Sequence, residues 1–132
     1  MKPNIGISEK SIGNITDLLS TLLADEMTLY IKTRKFHWNV SGESFMELHK
    51  LFEAQYKQLE VYIDEIAERI GKLGVKTIGT MKEFSAAATL KESPGKYPSQ
   101  KNMLDELLED HETVIKQLRK QITACDEKHG DA

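Results

Sequence analysis

An all-α helical bundle is the fold class this sequence predicts, on three observations. Apolar residues recur at helical spacing along three long stretches, no stretch alternates convincingly like a half-buried strand, and helix-stopping residues separate the stretches. At 132 residues the chain suffices for one domain with a real core. Its 39% hydrophobic and 30% charged residues fit a soluble globular protein with much exposed helix surface.

Composition also narrows the function. No apolar run approaches the roughly 20 residues that cross a bilayer, so no membrane role is expected. The opening MKPNIGISEKSIG lacks the apolar stretch of a secretory signal. The single cysteine, Cys125, has no second cysteine in the chain to bridge to, which suits a reducing, cytoplasmic setting. The net charge is −3 with both signs interspersed, which argues against the broad basic face of a dedicated nucleic-acid binder.

The first helix is expected over about residues 8–36, with Ile12, Ile15, Leu19, Leu22, Leu23, Met27 and Tyr30 at helical spacing. A second apolar edge of Leu18, Leu22, Leu29 and Phe36 suggests more than one neighbour. Asn39, Val40, Ser41 and Gly42 should stop it. The second helix opens with Ser44 and Glu47 at the spacing of a capping box. Its core stripe is Phe45, Leu48, Phe52, Leu59, Ile63, Ile66 and Ile70, with Gly71 or Gly74 as its end. In the connection that follows, TMKEFSAAATL has the makings of a short helix. After Pro98 a third long helix carries Leu104, Leu107, Leu108, Val114, Ile115, Leu118 and Ile122, and it should fray near Lys128, His129 and Gly130. Helices of roughly 40 Å, at 1.5 Å per residue, usually pack as an antiparallel bundle. A four-helix bundle would need one more helix, and the sequence stops at Gly130, Asp131 and Ala132.

The chemistry gathers on the second helix. At about 100° per residue, His49, Glu53, Tyr56, Glu60 and Asp64 form one stripe beside the core stripe, with Glu68 slightly further round. Histidine with aspartate and glutamate is a ligand mix for iron, manganese or zinc. His49 and Asp64 are separated by roughly 22 Å of helical rise, whereas metal–ligand bonds are about 2 Å. His37, at the end of the first helix, falls beside His49 and cannot close that gap. A two-fold dimer with antiparallel second helices does close it, because the His37/His49/Glu53 end of one copy then meets the Asp64/Glu68 end of the other. Taken singly, each histidine reads more readily as a cap or packing residue than as a ligand, and the acids beside Lys57, Arg69 and Lys72 as surface ion pairs. The Glu-x-x-His motif of di-iron sites inside bundles is absent, Asp126-x-x-His129 being the nearest approach. Phosphate-binding glycine loops, nucleophile elbows and paired-cysteine zinc patterns are absent too.

Residues 36–74, FHWNVSGESFMELHKLFEAQYKQLEVYIDEIAERIGKLG, resemble the signature of the Dps family, the miniferritins. The first helix, GKYPSQKNMLDELLEDHE and the final KHGDA share the resemblance, which thus covers nearly the whole chain. It implies a single ferritin-like domain over residues 1–132: a four-helix bundle with a short extra helix between the second and third long ones. It also implies a dodecameric shell built from two-fold dimers, with iron(II) oxidised preferentially by hydrogen peroxide and ferric iron stored inside, protecting the cell from oxidative damage. Carried over by residue, His37 pairs with Asp64 and Glu68 of a neighbouring subunit around a first iron, while His49 and Glu53 support a weaker second iron of a di-iron-type ferroxidase centre. Trp38 reads either as a scavenger of stray oxidising equivalents or as a packing aromatic, and Tyr56 has the same two readings with packing favoured.

Two features depart from the family pattern. Only Lys2 and Lys10 precede Ile12, so the lysine-rich tail through which many members bind DNA and join the nucleoid is missing. The fourth long helix is missing as well, and the expectation is either a chain truncated before it or a bundle completed by a separate piece. The alternative function is a DNA-compacting structural protein with little iron chemistry, which needs basic tails. A purely structural helical module would leave two histidines and three carboxylates aligned across a dimer for no reason.

Overall fold

The computed structural model of the chain describes residues 4–129. It contains three long helices and one short one, with no strand among the described residues: α1 (Glu9–Asn39), α2 (Phe45–Lys72), α3 (Met81–Ala87) and α4 (Gln100–His129). Lys2 and residues 130–132, on which the tail and chain-end expectations fall, lie outside the described residues.

The helix ends follow local chemistry. The Ser8 hydroxyl accepts from the Ser11 amide, satisfying one of the bare N–H groups that open α1. The α1–α2 turn passes through Gly42 at φ +110°, a backbone conformation that side chains rarely adopt, and the Gln100 amide donates to the Ser41 carbonyl at 2.6 Å. The start of α4 thereby holds the corner between the first two helices. The expected capping box at Ser44 is absent, because that side chain makes no cap hydrogen bond. The box forms instead at α3, where Thr80 and Glu83 satisfy each other's backbone N–H groups. Gly74, at φ +85°, follows the end of α2.

Helix α1 is the spine. Its Leu22, Leu29 and Phe36 join Phe52 and Leu59 of α2 and Met103, Leu107 and Val114 of α4 in one core. Each fully buried Leu or Phe stabilises by about 1.5–3 kcal/mol. Helix α1 therefore packs against more than one neighbour, α2 and α4. The expected core stripe of α2 holds at Leu48, Phe52, Leu59 and Ile70; Ile63 and Ile66 are half-buried, and Phe45 is exposed.

Charged groups also build the α1–α4 side. The buried Lys32 ammonium donates to the Lys91 carbonyl and to Asp110, and lies 3.3 Å from Glu106. The fully buried Asp25 carboxylate accepts from the Thr89 amide and hydroxyl and from the Leu90 amide, tying the α3–α4 connection to α1. Gln100 lies at the Ser41 end of α1 and Asp110 lies further back along it at Lys32, so α1 and α4 run antiparallel. On α4, Leu104, Leu108, Ile115 and Ile122 remain exposed on the face turned from α1.

Candidate functional site

The end of α1 and the beginning of α2 fold back on each other, which brings His37 and His49 face to face. Their rings stack with centroids 3.8 Å apart and an interplanar angle of 19°. Each ring also bonds the other residue's backbone: His37 Nδ1 lies 2.7 Å from the His49 carbonyl, and His49 Nδ1 lies 2.9 Å from the His37 carbonyl. A carbonyl can only accept, so both Nδ1 atoms carry the hydrogen, and in the neutral imidazole the lone pair is then on Nε2. A backbone carbonyl that fixes the tautomer and ring orientation is the usual support of a metal-binding histidine.

The surroundings make this corner rigid. Phe45 stacks on His49 at 5.1 Å, and the Tyr56 ring meets His37 edge-on at 5.3 Å. Tyr56 is buried, as packing requires, although it lies on the polar stripe. The Arg34 guanidinium covers the Tyr56 ring at 4.1 Å and also lies 5.7 Å from the centre of the Trp38 ring. Trp38 itself is 64% exposed, so within this chain it is not a packing aromatic.

Glu53 sits one turn after His49, half-buried, with Lys57 Nζ 3.8 Å from its carboxylate. Glu60, the next acid on the stripe, is tied up within the chain: it accepts from the Tyr30 hydroxyl at 2.8 Å and lies 3.6 Å from Arg34. Asp64 and Glu68 are exposed at the far end of α2. The structure thus brings His37, His49 and the start of the acidic stripe together and leaves Asp64 and Glu68 apart from them. Among the described residues, no three His, Cys, Asp or Glu side chains converge on one point.

Sequence reasoning missed the Tyr30–Arg34–Glu60 network. Arg34 Nε donates to the Tyr30 hydroxyl at 2.8 Å, and the Tyr30 phenol holds its proton more firmly than usual through burial and its bond to Glu60. The four-residue spacing of Tyr30 and Arg34 on α1 was a usable signal. Their meeting with Glu60 was not, since it depends on the register of α1 against α2.

Residues 16–132 match the Ferritin-like domain family. A low temperature-induced protein of Nostoc sp. is 41% identical over 128 residues, covering 97% of this chain and 72% of that protein. DNA protection during starvation protein 2 of Bacillus anthracis is 34% identical over 106 residues, 80% of this chain and 72% of that protein. Among solved structures, the Dps protein of Vibrio cholerae, described as a member of a broad superfamily of ferritin-like diiron-carboxylate proteins, matches with a TM-score of 0.89. It is 29% identical and covers 96% of this chain and 79% of its own. DpsC from Streptomyces coelicolor matches with a TM-score of 0.91 at 25% identity, over 96% of this chain and 73% of that one. The all-helical architecture, the stacked histidine pair and these relatives lead to one conclusion: the chain belongs to the Dps family of ferritin-like proteins.

Proposed function

We propose that this protein oxidises iron(II), preferentially with hydrogen peroxide, and stores the ferric product inside a hollow, dodecameric shell in the cytoplasm. The observation that carries this reading is the reciprocal histidine pair, with both Nδ1 atoms committed to backbone carbonyls and both Nε2 lone pairs left for a metal. Family membership and relatives named for DNA protection and general stress support it.

The site is completed by a second copy of the chain, read as one ferritin-like domain. With second helices antiparallel across a two-fold axis, Asp64 and Glu68 of one subunit approach His37 of the other, and each contact makes two identical sites. His37 and the two carboxylates hold the first iron; His49 and Glu53 hold the second, weaker position. Carboxylates are hard anionic ligands that favour iron(III), while the imidazoles hold the divalent ion. Two irons give one electron each, matching the two-electron reduction of peroxide without release of a hydroxyl radical.

A DNA-compacting role is the second reading. The relative's name speaks for it; the charge of −3 speaks against it. Robust gel-shift complexes at low salt and low pH would establish it.

The test is an anaerobic iron(II) titration followed by peroxide, tracking ferric absorbance and peroxide consumed. Fast oxidation at two irons per peroxide is the expected result. Oxidation no faster than in buffer would refute the reading.

A further inference from the structure

The two iron positions proposed above differ in the charge that the chain offers them. The first has two carboxylates, Asp64 and Glu68, beside His37. At the second, His49 is neutral and Glu53 supplies the one negative charge, and that charge already faces a cation. Lys57 continues the ridge of α2 that carries His49 and Glu53 at four-residue steps, and its Nζ lies 3.8 Å from the Glu53 carboxylate. The ammonium thus offsets the charge that would draw a metal ion there. It is also free to move, since the Lys57 side chain is 63% exposed and that of Glu53 only 44%. A long side chain in water can swing aside while the shorter carboxylate stays beside the helix.

We propose that Lys57 sets the order in which the two positions fill: its ammonium holds Glu53 while the second position is empty and swings aside when iron(II) takes its place. The proposal rests on the iron-oxidising reading above. The exchange swaps one ion partner of a carboxylate for another; the ammonium keeps its three hydrogens and no covalent bond changes. At low iron(II) only the position at His37 is occupied, and the second fills as the concentration rises. Because peroxide takes one electron from each of two irons, Lys57 thereby makes oxidation depend more steeply on iron(II). It is a positioning residue, acting on the metal through Glu53. An exposed pair four residues apart corresponds to about a twofold change in an equilibrium constant. Repulsion between the ammonium and a doubly charged ion adds to this, so the expected effect on the second position is about three- to fivefold.

The assembled protein is titrated with iron(II) without oxygen in a calorimeter, and the binding of each of the two irons per site is resolved. In Lys57→Gln, which keeps the length of the side chain and removes its charge, the second iron should bind about three- to fivefold more tightly, with the first unchanged. Lys57→Arg, which keeps the charge, should bind both irons as the wild type does. Lys120→Gln makes the same change in net charge at an exposed position of α4 and should also leave both unchanged. A second iron bound no more tightly in Lys57→Gln, or an equal gain in Lys120→Gln, would overturn the proposal and leave the iron-oxidising function standing. No iron bound at either position would remove that function, and this proposal with it.

Discussion

The two ends of α2 are built in opposite ways. At its N-terminal end His49 is stacked on His37, covered by Phe45 and bonded to the backbone of α1. At its C-terminal end Asp64 and Glu68 stand exposed, clear of the histidines. One end is finished by its own chain. The other carries exposed carboxylates with no such framework, the arrangement that the proposed site shared between two copies would use. Fixed histidines and bare carboxylates should therefore respond differently to the same kind of mutation.

The largest effect is expected from replacing both Asp64 and Glu68 by Ala. Loss of metal ligands should cost at least about 100-fold in iron oxidation, the upper range for disturbing even a supporting group of a metal site. Stability should stay within about 0.5 kcal/mol, as for other exposed positions; stopped-flow absorbance and urea denaturation together check this. His37→Ala should remove oxidation too, but with a second consequence. It deletes the donor to the His49 carbonyl and the stacked ring, at a cost of about 1–3 kcal/mol. Equal stability losses in the two variants would break the comparison.

The third prediction concerns pH. Burial, together with the neighbouring Asp25 charge, pushes the Glu26 carboxyl up to about 7. The folded state thus holds this proton more tightly than the unfolded chain, so the stabilisation is present below the ordinary carboxylate range and is lost as pH rises through about 7. Glu26→Gln should flatten the fall in stability between pH 5 and 8, seen by denaturant titration at each pH. The smallest effect belongs to Lys57→Ala. Its pairing with Glu53 is a solvent-exposed contact between residues four apart, worth about 0.3–0.5 kcal/mol, and urea denaturation should register no more than that.

Much of the architecture was legible in the sequence. Helix boundaries at Ser8, Gly42 and Gly74 are matters of local chemistry, and the core of α2 follows from spacing alone at Leu48, Phe52, Leu59 and Ile70. The separation of Asp64 from His49 is simple helical arithmetic, so it was legible that one straight helix cannot bring both to a single ion. The rest depended on how the helices pair. Ser44 and Glu47 have capping spacing, but nothing local distinguished them from Thr80 and Glu83, where the box forms. Tyr56 read as a packing residue and is buried, but its cover, Arg34, comes from another helix and depends on how α1 and α2 pair. The reciprocal bonds of His37 and His49 need the register of α1 against α2, as do Tyr30 and Glu60. Buried Asp25 and Lys32 read as surface charges until the loop after α3 and the acids of α4 are in place around them.

The central claim is that each site takes its histidines from one copy and its acids from another. Mixing two inactive variants, His37→Ala and the Asp64→Ala/Glu68→Ala double, tests it most directly, by refolding them together and measuring iron oxidation by peroxide. Random pairing makes about half the dimers mixed, each with one intact site, so about a quarter of the wild-type rate should return. Activity no higher than that of either variant alone would contradict a site divided between two copies.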